Sequence, residues 1–179
     1  LRIPRYIAYM KNGNIHARPD MKVEKRSGAI AVIDSDWAPG PVALSAAMDE
    51  AIGRARECHL GWCIVRNITH GGAIGYFAMQ AARQGFAGIV MTASRPMMAY
   101  HGAKTAGAST NPIAIAVPGG EHPPMLLDMS TATVSMGKIL AAQDTGTPIP
   151  DGWGIDADGH NTNDANAVET LMPLGGAKG

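Results

Sequence analysis

Short apolar segments alternate with helical segments through the middle of the chain, and this alternation constrains the fold more than any other sequence feature. Apolar residues recur at helical spacing along Pro41–Glu57, and a second, alanine-rich helical pattern covers Ala73–Gln84. The short apolar runs Trp62–Arg66 and Gly88–Ala93 are typical of buried strands. The alternation predicts an α/β fold in which a layered, mixed and partly parallel sheet is flanked by helices.

Shorter patterns extend this prediction toward both ends. They indicate a short helix over Pro4–Asn12 and a further helix over Val134–Gln143. They also indicate two pairs of strands, Lys22–Lys25 with Ala29–Asp34 and Pro112–Val117 with Met125–Asp128. Beyond Gly146 the chain is rich in Pro, Gly, Asp and Asn, which predicts an extended loop over residues 147–174. We expect residues 1–179 to form a single domain.

The composition excludes several classes of function. The 179 residues are 46% apolar and 17% charged with a formal net charge of zero, so the chain can bury a core but has no basic bias toward nucleic acid or an anionic membrane. The longest apolar runs, Ala29–Ile33 and Ile113–Val117, are too short to cross a bilayer. Two cysteines, Cys58 and Cys63, exclude a disulfide scaffold and favour a cytoplasmic setting.

The two ends of the chain suggest a piece of a longer protein. The chain starts at Leu1 without an initiator Met and stops directly after the glycine-rich run that contains Lys178. We therefore expect the 179 residues to be an internal fragment that is inactive by itself.

His70 is the first candidate for acid–base chemistry, because it follows the strand Trp62–Arg66 and precedes Gly71-Gly72 at the entry to the next helix. Ligands of open α/β sheets gather at the carboxyl ends of the strands, and an imidazole can exchange a proton near neutral pH. Position alone leaves an alternative open, in which His70 only caps or packs at the turn.

Arginines and glycines supply weaker candidates for anion binding. Arg2 and Arg5 could clamp a carboxylate, although surface arginines are more often simply solvated. Gly71–Gly75 does not follow the G-x-G-x-x-G pattern, and Gly175–Gly179 lacks the spacing of a P-loop. Lys178 within that second run could still meet a pyrophosphate.

We expect no metal site. Cys58, His59 and Cys63 lie at a helix end and a strand start with no fourth ligand nearby. Asp156–His160 lacks the acidic positions of a calcium loop and is typical of a plain turn.

Several segments, taken in chain order, resemble one family. They are Arg2–Tyr6, Val65–His70 with Gly71–Tyr76, Ser109-Thr-Asn-Pro112, Leu127–Thr131, Ile149–Trp153 and Pro173–Gly179. In this order they are similar to motifs of the NAD(P)-dependent malate/L-lactate dehydrogenases, among them a Gly-Thr-Asn-Pro strand and an Asp-Met-Ala-Thr run. The resemblance extends over nearly the whole chain.

The resemblance implies an α/β cofactor-binding fold distinct from the Rossmann fold, a homodimer, and hydride transfer between NADH or NADPH and a small 2-hydroxy or 2-oxo acid. It makes His70 the acid–base residue or a substrate ligand, and it places Arg2, Tyr6 and Thr110 at the substrate. It assigns the cofactor to a further set of residues: Ser94, Asp128, Met129, Ser130 and Lys178.

The resemblance leaves the branch of the family open. The family's Ser-His-Gly motif would precede Leu1 and is not part of this chain. Lys138 occupies a position that is Asp in the cyclic-imine carboxylate reductases, which favours a hydroxy-acid enzyme, whereas Ala73–Gly85 is similar to the ureidoglycolate dehydrogenases. The alternative from another class is a non-catalytic binding or dimerisation module.

Overall fold

The computed structural model describes residues Ile3–Lys178 and has a mixed α/β fold, as the alternation predicts. Its longer elements run in the order α1 Ile3–Lys11, β1 Lys22–Ser27, β2 Ile30–Asp34, α2 Gly40–Cys58, β3 Trp62–Arg66, α3 Gly75–Ala82, β4 Gly88–Met91, β5 Met98–Ala99, β6 Ala106–Ala108, β7 Ile113–Val117, β8 Met125–Met129, α4 Met136–Thr145, β9 Gly154–Ile155 and β10 Thr170–Leu171. Short 3₁₀ helices cover Ala165–Ala167 and Gly176–Lys178.

The strands form three small sheets rather than one continuous layer. The sheet orders are β1-β2-β3, β6-β5-β10-β9 and β4-β7-β8. In the first sheet β2 pairs antiparallel with β1 and parallel with β3. In the second, β10 pairs parallel with β5 and antiparallel with β9. Both are mixed sheets.

The chain divides into two compact units. One comprises Leu1–Val90 with Ile115–Leu126, and the other Met91–Ala114 with Leu127–Gly179. Each unit has buried residues of its own.

The core of the first unit lies between the β1-β2-β3 sheet and α2. Ala31 and Ile33 alternate along β2 and are buried, whereas their neighbours are partly or fully exposed. On α2, Leu44 and Ile52 are among the buried residues. Because α2 connects two parallel strands, β2-α2-β3 is a crossover unit, and its apolar helix face covers one side of the sheet.

The core of the second unit is formed by residues of α4 and of the sheet β6-β5-β10-β9. Ile139 on α4 and Leu171 on β10 are almost completely buried, and Met98 and Val134 belong to the same cluster. Residues 147–174 supply part of this core, because β9, the 3₁₀ helix Ala165–Ala167 and β10 lie within them. Strands of two or three residues are too short to show a period of two, so the sequence did not reveal β5, β6, β9 or β10.

Among residues 3–178, no helix combines the length and apolar character needed to cross a membrane.

Two glycines of α2 provide a test of packing at the helix start. A Cβ at Gly40 would lie 2.3 Å from the main-chain oxygen of His70, whereas a Cβ at Gly53 would have no heavy atom within 4 Å. We expect Gly40→Ala to lower the free energy of unfolding by about 1–3 kcal/mol, since main chain must move. Gly53→Ala should raise it by about 0.5–1 kcal/mol through helix propensity. Urea unfolding measures both, and equal effects of the two substitutions would contradict this packing.

Candidate active site

The His70 segment lies where two parallel strands end. Pairing of Asp34 with Arg66 aligns the last residues of β2 and β3, so the loops that follow both strands leave from one edge of the sheet. One loop leads to α2, and the other carries His70 to α3. This edge is where α/β folds position ligand-binding groups.

The buried side chain of Ser35 connects the two loops by hydrogen bonds. Its side chain is fully buried, and its hydroxyl lies 3.1 Å from the carbonyl oxygen of Arg66 and 2.8 Å from that of Asn67. The main-chain amide of Ser35 also donates to Arg66, and the amide of Trp37 donates to Asn67 over 2.7 Å. The first residues after β3 are therefore fixed to the first residues after β2.

Asn67 holds the turn at which the His70 segment leaves the sheet. Its φ of 52° lies in the left-handed region, which Asn adopts more readily than most residues. Its side-chain amide donates to both carboxylate oxygens of Asp34 at 3.0 Å. The main-chain amide of Asp36 and the Asn67 amide lower the pKa of Asp34. The carboxylate, and with it this contact, is present at neutral pH and is lost only as the pH falls through that lowered pKa.

Thr69 makes a second connection, directly before His70. Its hydroxyl donates to the carbonyl oxygen of Ala38 over 2.8 Å and accepts the amide of Gly40 over 3.1 Å. Since Gly40 begins α2, this side chain satisfies one of the otherwise unpaired amides of the first helical turn. The backbone of His70 then passes so close to Gly40 that a Cβ there would overlap it.

Two donors converge on one ring nitrogen of His70. The hydroxyl of Tyr6, on α1, lies 2.7 Å from Nδ1, and the main-chain amide of Gly72 donates to the same atom over 3.2 Å. A main-chain amide can only donate, so Nδ1 must accept, and the neutral ring carries its proton on Nε2. Tyr6 therefore donates to Nδ1 as well. The arrangement makes His70 a hydrogen-bond donor through Nε2.

The structure thus joins two of the predicted substrate-site residues, Tyr6 and His70. Arg2, which is also predicted to bind the substrate, lies outside the described residues. Arg5, the other candidate for a carboxylate clamp, is exposed on α1.

A second polar cluster lies in the other unit, at the end of β4 and the start of β7. Ser94 donates its main-chain amide to the hydroxyl of Ser109 over 2.9 Å, and the two hydroxyls are 3.1 Å apart. The amide of Asn111 donates to the same Ser109 oxygen over 3.2 Å. Ser109 is 7% exposed, whereas Ser94 is exposed. Ser94 is thus a surface group supported by a buried hydroxyl.

The loop after β8 joins the same cluster through the carbonyl oxygen of Thr110. The amide and hydroxyl of Thr131 donate to it over 2.8 and 2.9 Å, and the hydroxyl of Ser130 lies 3.4 Å away. Ser130 also accepts the amide of Ala132 over 2.9 Å. A hydrogen bond therefore joins the predicted residues Thr110 and Ser130, and a third predicted residue, Ser94, is hydrogen-bonded to Ser109, the chain neighbour of Thr110.

The remaining predicted cofactor residues lie on adjoining segments. Asp128 is exposed and Met129 half-buried, both at the end of β8. Lys178 is exposed in the last 3₁₀ helix, four residues after Leu174, whose amide donates to the carbonyl of Thr131. Among the described residues, no hydrogen bond or ion pair joins the Lys178 side chain to Ser94, Thr110 or Ser130.

Sequence reasoning did not single out the residues that support these sites. Ser35 and Asn67 follow strands, which is the one signal that could have drawn attention to them. Ser109 stands where the resembled motif has glycine, and this difference is a signal that could have drawn attention to it. None of these positions predicts its partner, because the contacts Ser35–Asn67 and Ser94–Ser109 join residues that are 32 and 15 positions apart.

The loop Asp156–His160 groups three potential metal ligands. The ligand atoms of Asp156, Asp158 and His160 lie within 4.8 Å of one another. One carboxylate oxygen of Asp156 accepts the amides of Asp158 and His160, and the bond from His160 lowers the pKa of Asp156 most. This is the hydrogen bonding of an ordinary Asx turn, as predicted for this segment.

Comparison with known proteins gives a consistent result. The family model described as malate/L-lactate dehydrogenase matches residues 1–179. The chain is similar to an L-sulfolactate dehydrogenase of Methanocaldococcus jannaschii, with 43% identity over 99% of this chain and 52% of that protein. It is also similar to a ureidoglycolate dehydrogenase (NAD(+)) of Escherichia coli, with 35% identity over 100% of this chain and 51% of that protein.

The fold agrees with a solved structure. A dehydrogenase from Sinorhizobium meliloti superposes with a TM-score of 0.93 at 34% identity, covering 99% of this chain and 52% of that one. The chain spans about half the length of the curated relatives it matches. Further relatives are named as malate dehydrogenase and as an NADP(+)-dependent sulfolactate dehydrogenase.

Replacing Thr69 tests the connection that fixes the His70 segment. Thr69→Val keeps the shape but removes the hydroxyl, which leaves the Gly40 amide and the Ala38 carbonyl without this partner. We expect a loss of about 1–3 kcal/mol in the free energy of unfolding. Thr69→Ser retains the hydroxyl and should lose less than half as much. Chemical denaturation of both variants measures the difference, and a valine variant as stable as the serine variant would refute the connection.

Proposed function

Because the chain belongs to the malate/L-lactate dehydrogenase family, we propose that its protein transfers a hydride between NADH or NADPH and C2 of a small 2-oxo or 2-hydroxy acid. In this proposal residues 1–179 act as one oxidoreductase domain. The observation that supports it most strongly is the convergence of Tyr6 and Gly72 on Nδ1 of His70.

His70 protonates the new alkoxide in the direction of reduction. Its Nε2–H donates to the 2-oxo oxygen and polarises the carbonyl before reaction. As C2 receives the hydride, Nε2 gives its proton to the oxygen, and Tyr6 passes its hydroxyl proton to Nδ1 over the 2.7 Å contact. After product has left, Nε2 takes up a proton from solvent and Nδ1 returns its proton to the Tyr6 oxygen, which restores the starting tautomer. Oxidation of the hydroxy acid runs through the same steps in reverse.

Arg2 neutralises the carboxylate of the acid in this proposal, as the family resemblance implies. A guanidinium can bind a carboxylate through two parallel hydrogen bonds. Thr110 completes the substrate-binding group by the same resemblance.

The serine and threonine cluster suits a nicotinamide cofactor. The hydroxyl of Ser94 is held by that of Ser109 and the hydroxyl of Ser130 by the main-chain amide of Ala132, and Asp128, Met129 and Lys178 lie on the adjoining segments. Such groups match the hydroxyl, amide and phosphate groups of NAD(P)H. When bound, the cofactor supplies or accepts the hydride.

Ureidoglycolate dehydrogenase activity is the second candidate. It is favoured by the 35% identity to the Escherichia coli enzyme over the whole chain and by the similarity of Ala73–Gly85 to that branch. Cyclic-imine carboxylate reduction is less favoured, because Lys138 replaces the aspartate of that branch. Its ammonium lies 5.8 Å from the ring centroid of Trp153, in cation–π geometry.

A non-catalytic binding module is the alternative from another class. Isothermal calorimetry of the complete gene product with NADH and NADPH separates the two classes. The dehydrogenase proposal requires saturable binding of at least one of them, and a folded protein that binds neither would favour the module.

We further propose that the protein is a homodimer, as the resemblance implies. The outer face of the β1-β2-β3 sheet presents Ile30, Trp62 and Ile64, each 45–49% exposed, and exposed apolar groups on one face are typical of interfaces. Light scattering should give twice the mass of one complete chain, and a monomer at micromolar concentration would contradict the proposal.

Substitutions of His70 and Tyr6 test the proton transfer. In the complete gene product, His70→Ala should lower kcat/KM by about 10²–10⁴-fold, because the proton donor is removed. Tyr6→Phe should lower it by at least about tenfold, because it removes both the hydrogen bond to Nδ1 and the proton that Tyr6 passes to the ring. The assay follows NAD(P)H absorbance with pyruvate, oxaloacetate, sulfopyruvate and ureidoglycolate.

His122→Ala serves as the control, since His122 is exposed in the loop before β8. Its activity should match that of the unaltered protein. Full turnover by His70→Ala would eliminate the catalytic role of this histidine.

A further inference from the structure

The hydrogen atoms of the Ser94–Ser109 pair can be assigned from the donors around them. Ser109 Oγ receives two main-chain amides, those of Ser94 and Asn111, at 2.9 and 3.2 Å. A hydroxyl oxygen has two lone pairs and one hydrogen. Because both lone pairs are engaged, the 3.1 Å contact between the two hydroxyls must use the hydrogen of Ser109. Ser109 therefore donates to Ser94.

The same count fixes the hydrogen of Ser94. Its Oγ accepts from Ser109 and lies 3.1 Å from the carbonyl oxygen of Arg95, which can only accept. Ser94 therefore donates to Arg95. Its main-chain amide is also committed, to Ser109. Both donors of Ser94 are thus used within the protein. One lone pair of its exposed Oγ remains available to accept a hydrogen bond.

We propose that Ser94 accepts a hydrogen bond from a neutral N–H or O–H group of the cofactor, and that Ser109 is the positioning residue that sets this polarity. The inference rests on the proposed function, in which Ser94 contacts NAD(P)H. The complementary groups on such a cofactor are its carboxamide, its amino group and its ribose hydroxyls. We do not expect a phosphate oxygen as the partner of Ser94, because it needs a donor and both donors of Ser94 are engaged within the protein.

The direction of the Ser109–Ser94 hydrogen bond depends on a residue that distinguishes this chain from the resembled motif. In Ser109-Thr-Asn-Pro112 it takes the place of the glycine of the resembled Gly-Thr-Asn-Pro strand. A glycine has no hydroxyl, so it could neither accept hydrogen bonds from the Ser94 and Asn111 amides nor donate one to Ser94. Without the Ser109 hydroxyl, the Ser94 amide would be available to a ligand oxygen.

A double-mutant cycle on cofactor binding tests the coupling between the two residues. We expect Ser94→Ala in the complete gene product to raise the Kd for NAD(P)H about five- to tenfold, the value of one hydrogen bond. Ser109→Ala should raise it by a similar factor. The double variant should bind no more weakly than Ser94→Ala, because Ser109 acts through Ser94. Fluorescence titration of NADH and NADPH gives all four constants.

Two further variants keep the cycle interpretable. Ser109→Gly restores the residue of the resembled motif and should raise the Kd by the factor expected for Ser109→Ala, so it takes the place of the alanine variant if that variant folds poorly. Ser135→Ala is the matched control, since Ser135 is an exposed serine that makes no side-chain cap to α4, and its Kd should not change. An unchanged Kd for Ser94→Ala, or additive effects in the double variant, would overturn the proposal.

A crystal structure of the complex with the tighter-binding nucleotide tests the polarity directly. We expect Ser94 Oγ within hydrogen-bond distance of a nitrogen or hydroxyl oxygen of the cofactor. A phosphate oxygen at that distance, or no contact at all, would overturn the inference while leaving the dehydrogenase proposal intact. A protein that binds neither nucleotide would instead refute the proposed function.

Discussion

The amide of Gly72, donating to Nδ1 of His70, is the contact on which the chemistry of the first unit depends. An amide cannot accept, so it determines which ring nitrogen carries the proton. Tyr6 reinforces the same choice from α1. The rest of the unit holds this contact in place. Parallel pairing of β2 with β3 brings their two loops to one edge, and Ser35, Asn67 and Thr69 fasten those loops to each other.

Main-chain amides determine polarity in the second unit as well. There the amides of Ser94 and Asn111 occupy the oxygen of Ser109 and direct its hydrogen toward Ser94. Such groups are set by backbone geometry and do not reorient when a ligand arrives, so the donors and acceptors that they define are preorganised. Main-chain amides thus set the neutral tautomer of His70 in the first unit and the direction of the Ser109–Ser94 hydrogen bond in the second.

Hydrophobic periodicity predicted the long elements because they bury one face. The α2 helix and strands β2, β3 and β7 lie within one or two residues of their expected bounds. Periodicity could not divide the strands among three sheets, since pairing depends on partners far apart in the chain. Strands β5, β9 and β10 have only two residues each and follow from tertiary contacts rather than from a local pattern.

The candidate site was predictable in part. The position of His70 after a strand and the family motifs pointed to His70, Tyr6, Ser94, Thr110 and Ser130, which the structure links in two clusters. The supporting residues were not predictable, because the role of Ser35 or Ser109 depends on which carbonyl or amide lies opposite its hydroxyl. Backbone geometry supplies that information, and a sequence pattern does not.

The position of the proton on the His70 ring can be measured directly. Long-range ¹H–¹⁵N correlation spectra of the complete gene product, labelled with ¹⁵N-histidine, distinguish a proton on Nε2 from one on Nδ1. The spectrum of His70→Gln identifies the His70 signals among those of the other histidines. We expect neutral His70 to carry its proton on Nε2, with Nδ1 acting as acceptor. A proton on Nδ1 would contradict it, because the Gly72 amide would then face another donor.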